Sequence, residues 1–152
     1  MKEYTNPYAS PRLNITSMSL MILGTSSHAG KSIITTGICR ILSDRGVPVA
    51  PFKSQNMSLN SYITEEGSEI GIAQAVQAIA ARARPVAEMN PILIKPKGNS
   101  VSQIILHGKP WKDTKIQDYY TQTGYLLNEA LAAYNRLKNE YHNIIIEGAG
   151  GA

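Results

Sequence analysis

The 152-residue chain holds one cysteine, one tryptophan and one phenylalanine, and only 17% of its residues are charged. No apolar run approaches the roughly 20 residues of a membrane helix. The lone Cys39 can neither close an internal disulfide nor furnish a Cys-rich zinc site, so a reducing, cytoplasmic setting is expected. The scarcity of charge argues against a coiled coil or a charged helical bundle. Met1 to Ile15 is polar and broken by Pro7 and Pro11, unlike the apolar centre of a secretion signal. Export and membrane insertion are therefore not expected, and no membrane partner is assigned.

What is present is an ordinary globular balance: 43% hydrophobic residues with 12 Gly and 8 Pro, enough for a packed core and against wholesale disorder. The length allows one domain or a piece of a larger one. Fifteen Lys and Arg against 11 Asp and Glu give a net charge of +4, a bias toward anionic partners that does not choose among them.

Along the chain, residues 1–16 read as an irregular arm, and residues 17–152 as the folded unit. Met18 to Leu23 is a short apolar run ending at Gly24, the form of a buried strand. From Lys31, the positions Ile33, Ile34, Ile38, Ile41 and Leu42 recur at helical spacing until Asp44-Arg45-Gly46. Val47 to Phe52 is a second strand, pushed toward an edge or a short register by Pro48 and Pro51. Lys53 to Glu66 is polar and aperiodic, hence a long loop. Glu69 to Arg84 reads as a second helix, with Ile70, Ala73, Val76, Gln77 and Ala80 on or beside one stripe and Pro85 as its stop. Two β-type runs follow, Ile92 to Lys95 and Val101 to His107, around a turn at Pro96–Ser100. Tyr119 to Tyr141 is the longest helix, and Asn143 to Ile146 the last buried strand. Alternating strands and helices predict an α/β fold with a doubly wound, mostly parallel sheet and binding loops at the carboxyl ends of its strands.

The sharpest motif is Gly24-Thr25-Ser26-Ser27-His28-Ala29-Gly30-Lys31-Ser32, between the first strand and first helix, which has the form of a P-loop. Small residues let backbone N–H groups converge on a phosphate at a helix N-terminus. Lys31 offers a compact cation to β and γ phosphates, and the Ser32 hydroxyl can ligate Mg²⁺. Five residues, not four, separate Gly24 from Gly30. Glu147 emerges from the last strand into Gly148-Ala149-Gly150-Gly151. A carboxylate there gains meaning beside the phosphate loop, where it could hold Mg²⁺ with Ser32.

The third motif, Ala50-Pro-Phe-Lys-Ser-Gln-Asn-Met-Ser-Leu-Asn-Ser61, follows the second strand and is in turn followed by Glu69-Ile-Gly-Ile-Ala-Gln74. Its amides and Lys53 suit an oxygen-rich substrate. With the phosphate loop, Met89-Asn-Pro-Ile-Leu-Ile-Lys-Pro96 and Glu147-Gly-Ala-Gly150, these segments resemble the cobyric acid synthase family over most of residues 18–152. That family lies in the dethiobiotin synthetase-like branch of P-loop proteins, where the five-residue spacing is normal. The resemblance implies an ATP-dependent, glutamine-using ligase that amidates peripheral carboxylates of an adenosylated corrinoid a,c-diamide through an acyl phosphate. ATP and Mg²⁺ are the implied cofactors. Residues 25–32 would cradle ATP, with Lys31 on its β/γ phosphates, and Ser32, Glu69 and Glu147 would hold Mg²⁺. Lys53 would meet the substrate carboxylate or the transferring phosphoryl group, with Gln55, Asn56, Asn60 and Lys95 on the substrate side. By helix position alone, Glu69 is more often just a helpful negative charge in a first turn.

Other residues carry blander readings. The backbone of His28 matters more than its imidazole, Cys39 reads as a small core residue, and Lys95, Lys97, Lys109, Lys112 and Lys115 with Trp111 lack any nucleic-acid motif or stacking platform. No nucleic-acid partner is expected. The sequence stops where a doubly wound sheet should continue, so the expectation is the amino-terminal part of a longer synthetase, with the remaining strands and a glutaminase domain elsewhere and this part alone inactive. Open sheet edges favour association, and a homo-oligomer is among the expected states. The competing readings are an ATP-binding accessory module without ligase activity and another ligase of the same branch.

Overall fold

The computed structural model describes Leu13 and residues 15–149. Most of the expected arm at 1–16, and the glycines at 150 and 151, lie outside the described residues. In chain order the elements are β1 (Met18–Ile22), α1 (Lys31–Asp44), β2 (Ala50–Phe52), β3 (Gln55–Met57), β4 (Ser61–Ile63), β5 (Glu69–Gly71) and α2 (Ile72–Ala80). A 3₁₀ turn at Ala87–Met89 leads to β6 (Ile92–Gly98), β7 (Val101–Leu106), β8 (Lys109–Lys115), α3 (Ile116–Tyr120), α4 (Thr123–Tyr141) and β9 (Asn143–Glu147).

The first sheet is three-stranded, in the order β1-β9-β2, and both pairings are parallel. The last strand of the described chain thus lies between the first two, a crossover that the intervening helices make possible. β9 is built of branched apolar residues because it is buried on both faces; Ile144 and Ile145 have no exposed surface. The register sets Ile22 opposite Glu147 and Phe52 opposite Ile146. The loop after β1, the residue after β2 and the end of β9 therefore leave the sheet side by side. As the prolines foretold, β2 is three residues long and, among the described residues, pairs on one side only. β1 departs from the expected buried strand: Leu20 and Met21 are exposed, and among the described residues β1 has a neighbour on one edge alone.

α1 and α2 pack on each other and against this sheet, while α4 packs on β9, β2 and the 3₁₀ turn. The core between them gathers Cys39, Leu42, Val49, Phe52, Leu137 and Ile144, with Phe52 and Tyr134 edge to face at 5.5 Å. The buried face of α1 is Lys31, Thr35, Cys39 and Leu42, whereas Ile33, Ile34 and Ile41 are exposed. The apolar spacing found the helix, but of its five positions only Leu42 is buried and Ile38 packs partly on the core. α4 likewise buries Leu126, Ala130, Ala133 and Leu137 and leaves Leu127 and Leu131 outside.

The second sheet, β3-β6-β7-β8, is mixed, and β4 with β5 forms a small antiparallel ribbon. Here the expected 53–66 loop is corrected, since it contains β3 and β4. Glu69 to Gly71 is strand, so α2 begins three residues later than expected and ends at Ala80, before the left-handed Arg82. The expected turn at 96–100 tightens to Asn99-Ser100, both at positive φ, in a two-residue hairpin. β8 was missed because Lys-Pro-Trp-Lys-Asp-Thr-Lys shows no apolar alternation; it is an exposed edge strand in which only Thr114 is buried. The expected helix over 119–141 is broken at Thr121-Gln122 into α3 and α4. No helix among the described residues is long and apolar enough to cross a membrane.

Candidate functional site

The loop after β1 enters α1 through Gly30, at φ 89°, a left-handed position that an L side chain would strain. Among the described residues no side chain caps this helix end, and its first turn has no acidic residue. Its N–H groups are thus left for an anion. Lys31 folds back across the loop and donates to the Ser26 carbonyl at 2.8 Å. A Cβ at Gly24 would sit 3.1 Å from the Lys31 Nζ, so a small residue there is what lets the lysine cross. The loop carbonyl now holds this ammonium where a phosphate could take it over.

Opposite lies Glu147, 3% exposed at the end of β9. Its Oε1 accepts from the Ser32 hydroxyl at 2.8 Å and from the Lys53 ammonium at 2.6 Å, and its Oε2 accepts from the Gln77 amide at 2.6 Å. Burial pushes this carboxyl up, but the Lys53 and Gln77 hydrogen bonds, the Lys53 charge and the Ser32 hydroxyl outweigh it and hold it below the usual carboxylate range. The group is an anion inside the protein, already surrounded by donors. Ser32 and Glu147 present adjacent hard oxygens of the kind a small divalent cation takes.

Lys53 is set by its backbone. Asn90 donates to the Lys53 carbonyl at 3.1 Å and to the Ile92 carbonyl at 3.0 Å, and accepts from the Gly71 N–H at 2.9 Å. This buried amide ties the end of β2 to β5 and β6. Gly71 is held tightly in turn, since a Cβ there would lie 2.4 Å from Asn56 Nδ2 and 2.6 Å from Gln74 Oε1. Asn56 donates to Gln74 at 3.2 Å, and Gln55 accepts from the Tyr119 hydroxyl.

One cleft of about 700 Å³ joins these parts, from Ser27, His28 and Gly30 through Lys31 and Ser32 to Lys53, Gln55, Asn56 and Glu147. Thr25, Ser26 and Ala29 belong to the same loop but are exposed and do not line this cleft. Three other expected site residues lie elsewhere. Asn60 is exposed, its N–H bonded to Ser58. Glu69 and Lys95 pair with each other and do not line the cleft. Burial pushes the Glu69 carboxyl up, and hydrogen bonds from Lys95 and Ser61 with the Lys95 charge bring it below the usual range. Cys39 is buried in the core, which pushes its thiol up to about 12 and leaves it inert.

Sequence reasoning missed Gln77 and Asn90 as site residues. Gln77 was read as one more position on a helical stripe, and only its neighbours, Gln74 and an alanine-rich buried face, hinted that buried amides were needed.

Comparison with known proteins agrees with this geometry. The chain is 63% identical over 135 residues to a protein of Methanoculleus marisnigri named probable cobyric acid synthase, covering 89% of this chain and 27% of that protein. It is 63% identical to one so named from Methanosphaerula palustris (89% and 28%) and 50% identical to one from Methanocaldococcus jannaschii (86% and 27%). The chain thus spans little more than a quarter of the length of these relatives. The family model of the CobQ/CobB/MinD/ParA nucleotide binding domain matches residues 20–147, from β1 through Glu147. With the phosphate loop, the crossover sheet and this match in register, the chain belongs to the CbiA family of nucleotide-binding P-loop domains.

Proposed function

We propose that this chain carries the phosphoryl-donor site of an ATP-dependent ligase that converts peripheral carboxylates of a corrinoid to amides, with ammonia drawn from glutamine by a glutaminase domain. The substrate class comes from the relatives named probable cobyric acid synthase. The observation that carries the reading is the meeting of Lys31, Ser32, Lys53 and Glu147 in one cleft, with Ser32 and Lys53 on the same carboxylate oxygen.

In the proposed reaction, a substrate carboxylate oxygen attacks the γ phosphorus of ATP and the bond to ADP breaks, forming an acyl phosphate. Ammonia then attacks the carbonyl carbon, phosphate leaves with the C–O electron pair, and the nitrogen loses a proton to become the amide. Positioning and charge neutralisation supply most of the catalysis. The α1 N-terminus and Lys31 bind the phosphates. Ser32 and Glu147 would hold Mg²⁺, which when bound would neutralise phosphate charge. Lys53 orients the substrate carboxylate toward the γ phosphate, and Gln55 and Asn56 hydrogen-bond the substrate periphery. Because Glu69 and Lys95 satisfy one another, the metal site is drawn from Ser32 and Glu147 alone.

The test is corrinoid-dependent ADP release by the whole protein, with hydroxylamine present to trap the acyl phosphate as a hydroxamate. Lys31→Ala is expected to weaken Mg·ATP binding by at least about tenfold with little change in melting temperature, since this side chain bonds the loop and stands outside the hydrophobic core. Undiminished corrinoid-dependent turnover in that variant overturns the assignment. ATP binding with no corrinoid-dependent turnover in the wild type replaces the ligase by an accessory module.

A further inference from the structure

The two oxygens of Glu147 have different kinds of partner. Oε1 faces the phosphate loop and receives Ser32 and Lys53, both of which also line the cleft. Oε2 faces α2 and receives Gln77 at 2.6 Å, a residue with no exposed surface that does not line the cleft.

Gln77 is costly where it stands. It shares its buried helix face with Gln74, Ala75 and Ala78, where a packing role alone would be met by an apolar side chain. A buried amide must be hydrogen-bonded to offset its desolvation. Yet among the described residues its Oε1 has no partner, so its one side-chain bond is the one to Glu147. The amide's orientation follows from chemistry: an ionised carboxylate only accepts, so the NH₂ must face it. Being neutral, this donor fixes the carboxylate without competing as a cation.

A carboxylate held through one oxygen has the orientation of its plane set about its last torsion. Oε1 therefore stays beside Ser32, and Ser32 and Lys53 can yield it to an incoming cation while Gln77 keeps its hold. The helix carrying this clamp is itself anchored, through Gly71 to Asn90 and through Gln74 to Asn56.

We propose that Gln77 is a positioning residue for the cation site: its amide locks Glu147 with Oε2 toward α2 and Oε1 toward Ser32, and so sets divalent-cation affinity without touching cation or nucleotide. The inference rests on the reading that Ser32 and Glu147 hold the cation.

The experiment titrates Mn²⁺ into the ATP-bound protein and follows free Mn²⁺ by electron paramagnetic resonance, beside ATP binding in EDTA and thermal melting. Gln77→Met keeps length and volume but removes the donor, and Gln77→Asn keeps the amide but withdraws it by one methylene. Both are expected to weaken Mn²⁺ binding by about 10- to 100-fold, the range for groups that orient metal ligands, while ATP binding in EDTA changes by less than about twofold. Mn²⁺ affinity unchanged in the folded variants overturns the proposal, as does an equal loss of metal-free ATP binding. Failure of both variants to fold assigns Gln77 to the core and also overturns it. Glu147→Gln separates the two levels. If it binds Mn²⁺ as the wild type does, the cation-site reading itself falls; if it is defective while the Gln77 variants are normal, only the role of Gln77 falls.

Discussion

In the three-stranded sheet, strand ends deliver Lys53 and Glu147 to a junction where their side chains are 13% and 2% exposed, whereas in the four-stranded sheet Lys97 and Asp113 pair with 46% and 52% exposure. The central strand β9 is almost wholly buried and β8 almost wholly exposed. Both regions bring opposite charges together, but in only one does the surrounding protein exclude water. A buried carboxylate must keep every donor it has, because losing one leaves a desolvated charge. An exposed pair can part and be rehydrated at little cost. The contrast explains why the buried junction carries amides from α2 and a fixed backbone at Lys53, while the hairpin sheet needs only its two-residue turns and charged edge.

Lys53→Met tests that contrast hardest. It is expected to lower unfolding free energy at pH 7 by about 3 kcal/mol, at the lower end for a broken buried pair, measured by urea denaturation. The deficit is expected to shrink in acid. Glu147 has a depressed folded value, so its stabilisation is complete above the ordinary glutamate value near ~4.3 and is lost as pH falls through the folded one. The variant has lost most of that stabilisation already. A deficit independent of pH would show that Lys53 acts through packing and not through the carboxylate.

Gly71→Ala comes next. Its new Cβ would meet Asn56 and Gln74 at 2.4 and 2.6 Å, and the expected cost is about 1–3 kcal/mol, as for other overpacked sites, read from the melting temperature. Nucleotide binding should weaken less than stability, because the strain falls on the Asn56–Gln74 contact and not on the phosphate loop. Unaltered stability would mean that β5 and α2 are looser than their hydrogen bonds imply. The smallest effect is expected for Lys97→Ala, within about 0.5 kcal/mol; a loss near that of Lys53→Met would erase the distinction between the two sheets.

Part of this was open to reading in one dimension. The strand, the Gly24–Ser32 loop and the helix from Lys31 are contiguous, so small residues, a lysine and a serine at set spacing betray them directly. Glu147 was legible because an isoleucine run ends on it. The start of α2 was not: Glu69-Ile-Gly continues smoothly into a helical composition, and only the ribbon pairing with β4 and the bond from Gly71 to Asn90 make it strand. Nor could α1 show which face it buries, since isoleucines occupy several sides and the packed neighbours choose Thr35 and Cys39.

By itself, then, the sequence determined the local chemistry: a phosphate-binding turn, a lysine and amides after the second strand, an acidic residue ending the last. These depend on spacings of a few residues, within reach of backbone geometry and helix dipoles. Only the tertiary structure decided that Ser32, Lys53, Gln77 and Glu147 meet, because residues up to 115 positions apart are brought together by the parallel register of β9 between β1 and β2. It likewise decided that Glu69 meets Lys95. Which donors a carboxylate finds is set by the burial that forces it to find them, and burial exists only once the sheets and helices have closed around it.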